Sequence, residues 1–589
     1  MESSIRDRGG DGTGAGPAVP SDPPFEGGET PRNADFYKVP LRTYLWLVVP
    51  AAIGAVLGLA LAHRDAGTAS ARSASPAPPP VRCCSVVSSP ERVYRPAHAH
   101  VGLTPLKQAL ATATSGVAAG SASIKRPKPK GDTVVPFSTN PRTFAENPGS
   151  SQGSAPEIAP DPATVAAPPI EIRDVHTVSL NSFSATIAWS TTEAVSSQVA
   201  YGLDSRTLWS AADTPSRDHT AVVNGLAFDT TYRLWVDAHS ADGRTASSPF
   251  LLTTPPLPQH VTGGVSGGSF LVDGQPYFPF VVWAACPDAY ATRLAAGIDL
   301  FMGKDCGSSA KQLTALGNRG LFVSDALEPA ADGAVGTFLP DEWDTFLPNN
   351  ITAETLRKLV PDNGGGPRFL TLTNHFYSRA EPLPQGRGMY PALVQVADVL
   401  SFDLYPLQNW CRYDDFGHVF ESQKDLVQLA QGKPTFQWIE ARSMDCHDPT
   451  LNPSTATVHA ETWLAIAGGA HAMGYFPYDF SPEIGAQIAS DKREIQTLVP
   501  ALLEPNLPGA DAGSGPVKVG AKEHNGALYV IAVNGSRVNA TATINVPALG
   551  NRQLISLDGS RSVSASSGSF TDTFAPFEVH VYIAAPPSS

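Results

Sequence analysis

Between residues 278 and 480, apolar runs of strand length recur, and segments with apolar residues at helical spacing separate most of them. The runs are FPFVVWAA (278–285), IDLFMG (298–303), GLFVSDAL (320–327), AVGTFLPDE (334–342), RFLTLTNHF (368–376), VLSFDLYP (399–406), PTFQWIEA (434–441) and AMGYFPYDF (472–480). The helical patterns are SAKQLTALGNR (309–319), TAETLRKLV (352–360), SQKDLVQLA (422–430) and TATVHAETWLAIAGG (455–469). Eight strands with helices between them predict a (β/α)8 barrel, the TIM barrel architecture, over 268–505. The third-to-fourth connection, ALEPAADG, leaves no room for a full helix. On either side of this region the period is two. SATIAWS (184–190), SSQVAYG (196–202), TAVVNGL (220–226) and YRLWVDA (232–238) predict an antiparallel β-sandwich over 168–256. VKVGAKE, ALYVIAVN, ATATINVP, RQLISLD and EVHVYIA predict a second, C-terminal β-sandwich over 512–586, closing the barrel's C-terminal side.

The N-terminal third carries no such pattern. Residues 1–41 are rich in Gly, Pro, Asp and Ser and read as a disordered cytoplasmic tail. TYLWLVVPAAIGAVLGLALA (43–62) is free of charge and long enough to cross a bilayer, so 42–62 is expected to be a transmembrane helix. Tyr44 and Trp46 stand where an interfacial aromatic belt would lie. The other reading of this segment is a secretory signal cut after Ala60-Leu61-Ala62, which would release the protein. Residues 63–167 form a disordered Pro/Ala/Ser-rich linker that holds the adjacent Cys83 and Cys84 and the basic run IKRPKPK (124–130). The net charge of -14 argues against nucleic acid as a partner. The chain has no HExxH, no Cys/His metal spacing and no Walker loop, so neither a metal nor a cofactor is expected.

Two of the strand runs end in a glutamate. GTFLPDEWD (336–344) leads into Glu342, flanked by Asp341 and Asp344, and PTFQWIEA leads into Glu440. Functional residues of such barrels stand at the C-terminal strand ends, and paired carboxylates there suit glycosidic bond cleavage. Trp283, Trp343, Trp410 and Tyr475 fall at predicted strand ends, where their rings would stack on sugars. Asn374, His375, Asp403 and Tyr405 are further candidates for contacts to a carbohydrate substrate. Asp325 and Glu328 are rival acids.

Two resemblances follow from these residues. Trp189 in an early strand, with Leu226-Ala-Phe-Asp-Thr-Thr-Tyr232 before a late one, resembles a fibronectin type III domain, which implies a spacer or weak binding module. The barrel resembles the retaining glycoside hydrolases whose acid/base glutamate follows strand four and whose nucleophile follows strand seven. FLVDGQPYFPF is similar to the phrase that opens many such domains. The resemblance implies Glu342 as acid/base, Glu440 as nucleophile, and Tyr405 as a hydroxyl that holds Glu440 ionised. The chain departs from the clan in placing Asp341 where an asparagine is usual. The alternative is a carbohydrate-binding or adhesion protein on an inactive barrel.

Cys286 and Cys306 follow strands one and two, and Cys411 and Cys446 follow strands six and seven. Neighbouring loops on one face are expected to bring each pair into disulfide range, which implies an oxidising compartment and a large extracytoplasmic part. Asn350, Asn534 and Asn539 lie in glycosylation sequons. Limited proteolysis is expected to cut freely within 63–167 and to leave a resistant core from residue 168 onward, because the linker lacks apolar anchors. A linker that resists cleavage would refute this division.

Overall fold

The computed structural model describes residues 167–587, apart from 346, 374–386, 415 and 445. The expected tail, the membrane segment 42–62 and the linker up to residue 166 lie outside the described residues, as do Cys83, Cys84, Asn374 and His375. No helix among the described residues is long and apolar enough to cross a membrane.

Eight parallel strands close into a barrel in chain order: Phe280–Trp283, Leu300–Met302, Leu321–Asp325, Gly336–Phe338, Arg368–Leu372, Val399–Phe402, Thr435–Glu440 and Met473–Phe476. Each lies inside one of the runs read from the sequence. The last strand pairs with the first, Gly474 opposite Val281. Helices follow seven strands: Tyr290–Ala295, Ser309–Leu316, Ala353–Leu359, Tyr390–Val396, His418–Ala430, Thr455–Gly468 and Pro482–Gln496. The connection from the third strand to the fourth has none, as its length requires.

Alternation along the strands sorts the side chains into two layers. Val281, Leu300, Met302, Val323, Phe338, Phe369, Phe436 and Trp438 share one buried cluster, the barrel interior. Phe280, Val282, Phe301, Leu370, Leu400, Ile439 and Tyr475 belong to another, between strands and helices. A short three-stranded sheet (Gly263–Ser266, Ser269–Val272, Gln275–Pro276) adds Phe270 to the interior cluster, edge-on to Phe369 with ring centroids 5.5 Å apart. The indole of Trp438 needs space on the last strand, and Gly474 provides it: a Cβ there would lie 2.4 Å from Trp438 Cε3.

The N-terminal β unit runs from Ile172–Leu180 to Thr245–Thr253. Its long strand Ala185–Gly202 pairs through its first half with Ile172–Leu180 and Ser216–Val223, and through its second half with Leu208–Trp209 and Thr231–His239. The register shifts between Ser190 and Val195, so one strand serves two sets of partners. The C-terminal part is a five-stranded sheet and a two-stranded one. The larger sheet packs against the helix Thr455–Gly468 on the outside of the barrel. Gly520 meets the backbone of Ala467 so closely that a Cβ would stand 2.3 Å from its carbonyl oxygen, and Lys518 pairs with Glu421 at 2.8 Å. One turn reaches the rim, where Phe577 packs on Tyr413 and Phe416. Asn534 is fully buried and donates to the carbonyls of Val538 and Ala575, so its sequon is closed to modification in the folded protein, whereas Asn350 and Asn539 are exposed.

Gly474→Ala is expected to destabilise the barrel by roughly 1–3 kcal/mol, because the added methyl must displace a packed indole. Chemical denaturation followed by tryptophan fluorescence checks this; an unchanged midpoint would mean that Trp438 has room to move.

Candidate active site

The fourth strand ends at Phe338, and the chain then turns through Asp341 and Glu342 into a short 3-10 segment, Trp343–Thr345. Glu342 takes a left-handed backbone with φ 45°, a conformation that costs a non-glycine residue energy and aims the side chain off the regular path. Its carboxyl, half-buried, hydrogen-bonds Asp403, which stands just past the sixth strand on the inward phase of Val399 and Ser401. Asp403 is buried, and its other oxygen, Oδ1, has no partner among the described residues. Burial first, then the charge and hydrogen bond of Glu342, then Asp341 and Asp344, push the Asp403 carboxyl far above the ordinary carboxylate range.

Asp344 is buried, accepts from the Tyr390 hydroxyl at 2.8 Å, and is raised to about 7 by burial and Glu342 against the pull of that hydroxyl. The solvent-exposed Asp341 is pushed the same way by the protein around the mouth and by Glu342, with water screening part of the effect. Beneath the acids lies a polar layer. Thr371 Oγ1 accepts from Trp438 Nε1 at 3.1 Å and from Ser401 Oγ at 3.0 Å, and also contacts Asp341. Four acids from the ends of strands four and six thus converge on one mouth. Negative neighbours contribute to the raised carboxyls of Asp341, Asp344 and Asp403.

Glu440 is placed elsewhere. It has no exposed surface. Its oxygens accept from the backbone N–H groups of Leu407 and Gln408, both at 2.8 Å, and it shares a hydrogen bond with Glu461 of the helix Thr455–Gly468. Burial raises Glu440 to about 7, and Glu461, fully buried beside it, lies further above its ordinary range. The two amides pull Glu440 back toward its ordinary range, whereas the charge of Glu440 pushes Glu461 higher still. The structure therefore does not bring Glu342 and Glu440 together on one solvent-facing rim. The acceptor positions of Glu440 are filled by amides and Glu461, and Tyr405 does not fill them. Tyr405 is buried within the field of both groups, and its phenol is raised by burial, then Asp403, Asp341, Glu342 and Glu440 in turn.

Among the aromatics, Trp283 is half-buried at the top of the interior, edge-on to Phe338 at 5.1 Å and Trp438 at 6.3 Å. Tyr405 stacks on Phe476 with centroids 5.9 Å apart. Trp410 is half-buried on the loop after strand six, beside Arg412 and His418. Two others are corrected. Trp343 is buried in the outer apolar layer, and Tyr475 is fully buried on the outward phase, its hydroxyl 3.1 Å from Thr462 Oγ1, so neither ring faces a ligand. Asp325 is engaged by Lys304, and Glu328 caps the helix Ser309–Leu316 through the Ser309 amide at 2.8 Å. Both disulfides, Cys286–Cys306 and Cys411–Cys446, are formed, with Cα–Cα distances of 5.5 and 5.4 Å. The second ties the loops after strands six and seven, which Gln408 also joins through Leu451 O at 2.9 Å and the Met444 amide.

No family model matches the chain, and no curated protein is similar to it in sequence. Several solved structures share part of its course. α-Galactosidase I from Mortierella vinacea aligns with TM-score 0.32 and 11% identity over 53% of this chain and 98% of that one. A GH30 endoxylanase from Clostridium papyrosolvens aligns with TM-score 0.28 and 13% identity over 55% and 99%. An α-amylase from Geobacillus thermoleovorans, complexed with acarbose, aligns with TM-score 0.27 and 10% identity over 51% and 91%. These proteins are glycoside hydrolases, but scores this low carry no argument about the chemistry of this chain.

The Glu440–Glu461 pair has a consequence for stability. Glu461 is protonated in the folded protein at a pH where the unfolded chain, with an ordinary value of 4.5, has released that proton. The folded state then binds more protons, so stability falls as pH rises above that value and levels off only above the raised one. Glu461→Gln keeps a neutral donor at all pH values and is expected to flatten this fall. Melting temperature against pH for both proteins checks it; parallel curves would show that the pair does not hold the proton.

Proposed function

We propose that the barrel is a glycoside hydrolase in which Asp403 is the general acid and Glu342 the attacking carboxylate. The observation that carries the reading is the hydrogen-bonded contact of these two groups at the C-terminal mouth, one following strand four and one following strand six. Glycoside hydrolysis needs a protonated carboxyl to release the leaving oxygen and an ionised one to attack carbon or activate water. Desolvation and three neighbouring acids supply the first at Asp403, and Glu342 supplies the second. Two carboxyl groups in contact are closer than the about 5–5.5 Å of a retaining pair or the about 6.5–9.5 Å of an inverting one, so in this proposal they part to admit the glycosidic bond, and the anomer released reports which spacing they take. Trp283 and Trp410 stand as stacking surfaces, and Tyr405 as a hydroxyl within the field of both acids. Glu440 becomes a positioning residue that holds the backbone of 407–408, just past the loop segment that carries Asp403 and Tyr405.

The finer architecture is part of the same proposal. The N-terminal unit is fibronectin type III-like, supported by Trp189, buried and stacked on His219, and by Tyr232, whose hydroxyl accepts from the Ala227 amide at 2.9 Å. The C-terminal sheets form a supporting sandwich. Two disulfides on the active face fit an extracytoplasmic protein. The sequence of 43–62 supports a membrane anchor.

Screening the protein against a polysaccharide panel identifies a substrate. Asp403→Asn and Glu342→Gln are then each expected to cost roughly 10²–10⁴-fold in kcat. Asp403→Asn should spare aryl glycosides with good leaving groups in the first step. Because the general acid must be protonated, activity should be lost as pH rises through the raised value of Asp403, and that alkaline limb should vanish in Asp403→Asn. Full activity in both variants would overturn the assignment. Binding of a glycan without turnover in the wild type would instead favour an adhesion barrel.

A further inference from the structure

A second cluster lies far from the mouth chemistry, on the barrel's outer helices. Asp491 and Glu494 are three residues apart on Pro482–Gln496 and so share a face, and His459 approaches them from Thr455–Gly468. One donor atom from each of the three lies within 4.8 Å of the others. His459 Nδ1 is 2.6 Å from Asp491 Oδ1, which also accepts from Gln487 Nε2 at 2.9 Å. Asp491 has no exposed surface, yet its second oxygen, Oδ2, has no hydrogen-bond partner among the described residues. A buried carboxylate oxygen with no partner is costly, and a bound cation removes that cost. His459 and Glu494, both half-buried, open onto a cavity of about 530 Å³ between the barrel helices, the N-terminal β unit and the C-terminal sheet. The arginines lining that cavity do not neutralise the trio: Arg493 pairs with Asp204, and Arg561 with Asp572 and Glu578.

We propose that His459, Asp491 and Glu494 form a binding site for a divalent transition-metal ion, best suited to Zn²⁺, which pins the last two helices of the barrel together. One imidazole nitrogen with two carboxylate oxygens is a donor set for Zn²⁺ and its neighbours, whereas Ca²⁺ and Mg²⁺ favour oxygen alone. Water from the cavity would complete the coordination. The site is separate from the carboxyl pair at the mouth, so the proposal does not rest on the glycosidase reading.

The test uses the full chain without a polyhistidine tag, stripped with a chelator. Titration with Co²⁺, followed by visible absorption, and with Zn²⁺, followed by calorimetry, is expected to show one tight equivalent and a melting temperature raised by several degrees. Asp491→Asn and Glu494→Gln are each expected to weaken binding at least tenfold and to abolish the Zn²⁺-dependent rise. If Asp491→Asn does not fold by circular dichroism, Glu494→Gln, at a half-buried position, decides the matter. A wild-type protein that takes up neither ion, or a folded Glu494→Gln that binds as the wild type does, overturns the proposal.

Discussion

A carboxylate with no exposed surface must find all its hydrogen bonds inside the protein, and Glu440 organises its surroundings for that reason. Its two oxygens are held by consecutive backbone amides of the loop after strand six, and the helix after strand seven brings the buried Glu461 against it. Three elements distant in sequence are thereby fixed to one atom group. The same loops are joined again by Gln408 and by the Cys411–Cys446 disulfide. Such redundancy holds in place loops that would otherwise be the mobile part of the barrel.

The mouth concentrates like charge, which a folded chain tolerates only if some of that charge is absent. Asp344 lies under the protein surface and Asp403 beneath Glu342, so each is raised and each can sit neutral beside an ionised neighbour. The left-handed backbone at Glu342 adds a local cost that the surrounding packing must offset. Cost of this kind, gathered at one end of an otherwise regular barrel, marks the site more clearly than any single side chain.

Much of this was legible in the sequence. All eight strands, the helix missing after strand three and both disulfide pairs follow from period, length and position along the chain. Direction at the strand ends does not. Glu440 lies on the inward phase of Phe436 and Trp438, so alternation aims it at the interior, but two free amides after strand six and a buried Glu461 compete for it. Nothing at 440 itself announces those partners. Glu461 is one acid in an otherwise apolar helix face, and its pairing with Glu440 is visible only once the helix is docked. Tyr475 fails for a related reason, since a strand aromatic faces the mouth or the apolar layer according to one residue of phase, and Trp343 lies in a 3-10 segment past the strand end, which alternation does not describe. Asp403 was readable as an inward acid, though its rank above Glu440 depends on which of the two keeps a route to solvent and substrate.

Barrel geometry itself favours the pair formed by strands four and six. In a closed eight-stranded barrel, side chains of one interior layer come from alternate strands. Strands four and six share a parity, whereas strand seven contributes to the neighbouring layers. The interior shows the stacking: Trp438 from strand seven lies beneath the acids and donates to Thr371, with Ser401 joining the same hydroxyl. Gly474 makes room for the indole of Trp438, and two residues further along strand seven Glu440 is held by the amides of Leu407 and Gln408. The acids that follow strands four and six meet in a hydrogen-bonded contact. Moving charge from one strand end to another would thus require repacking the layer below it, which is why a carboxyl pair and the aromatic floor beneath it are one structural unit.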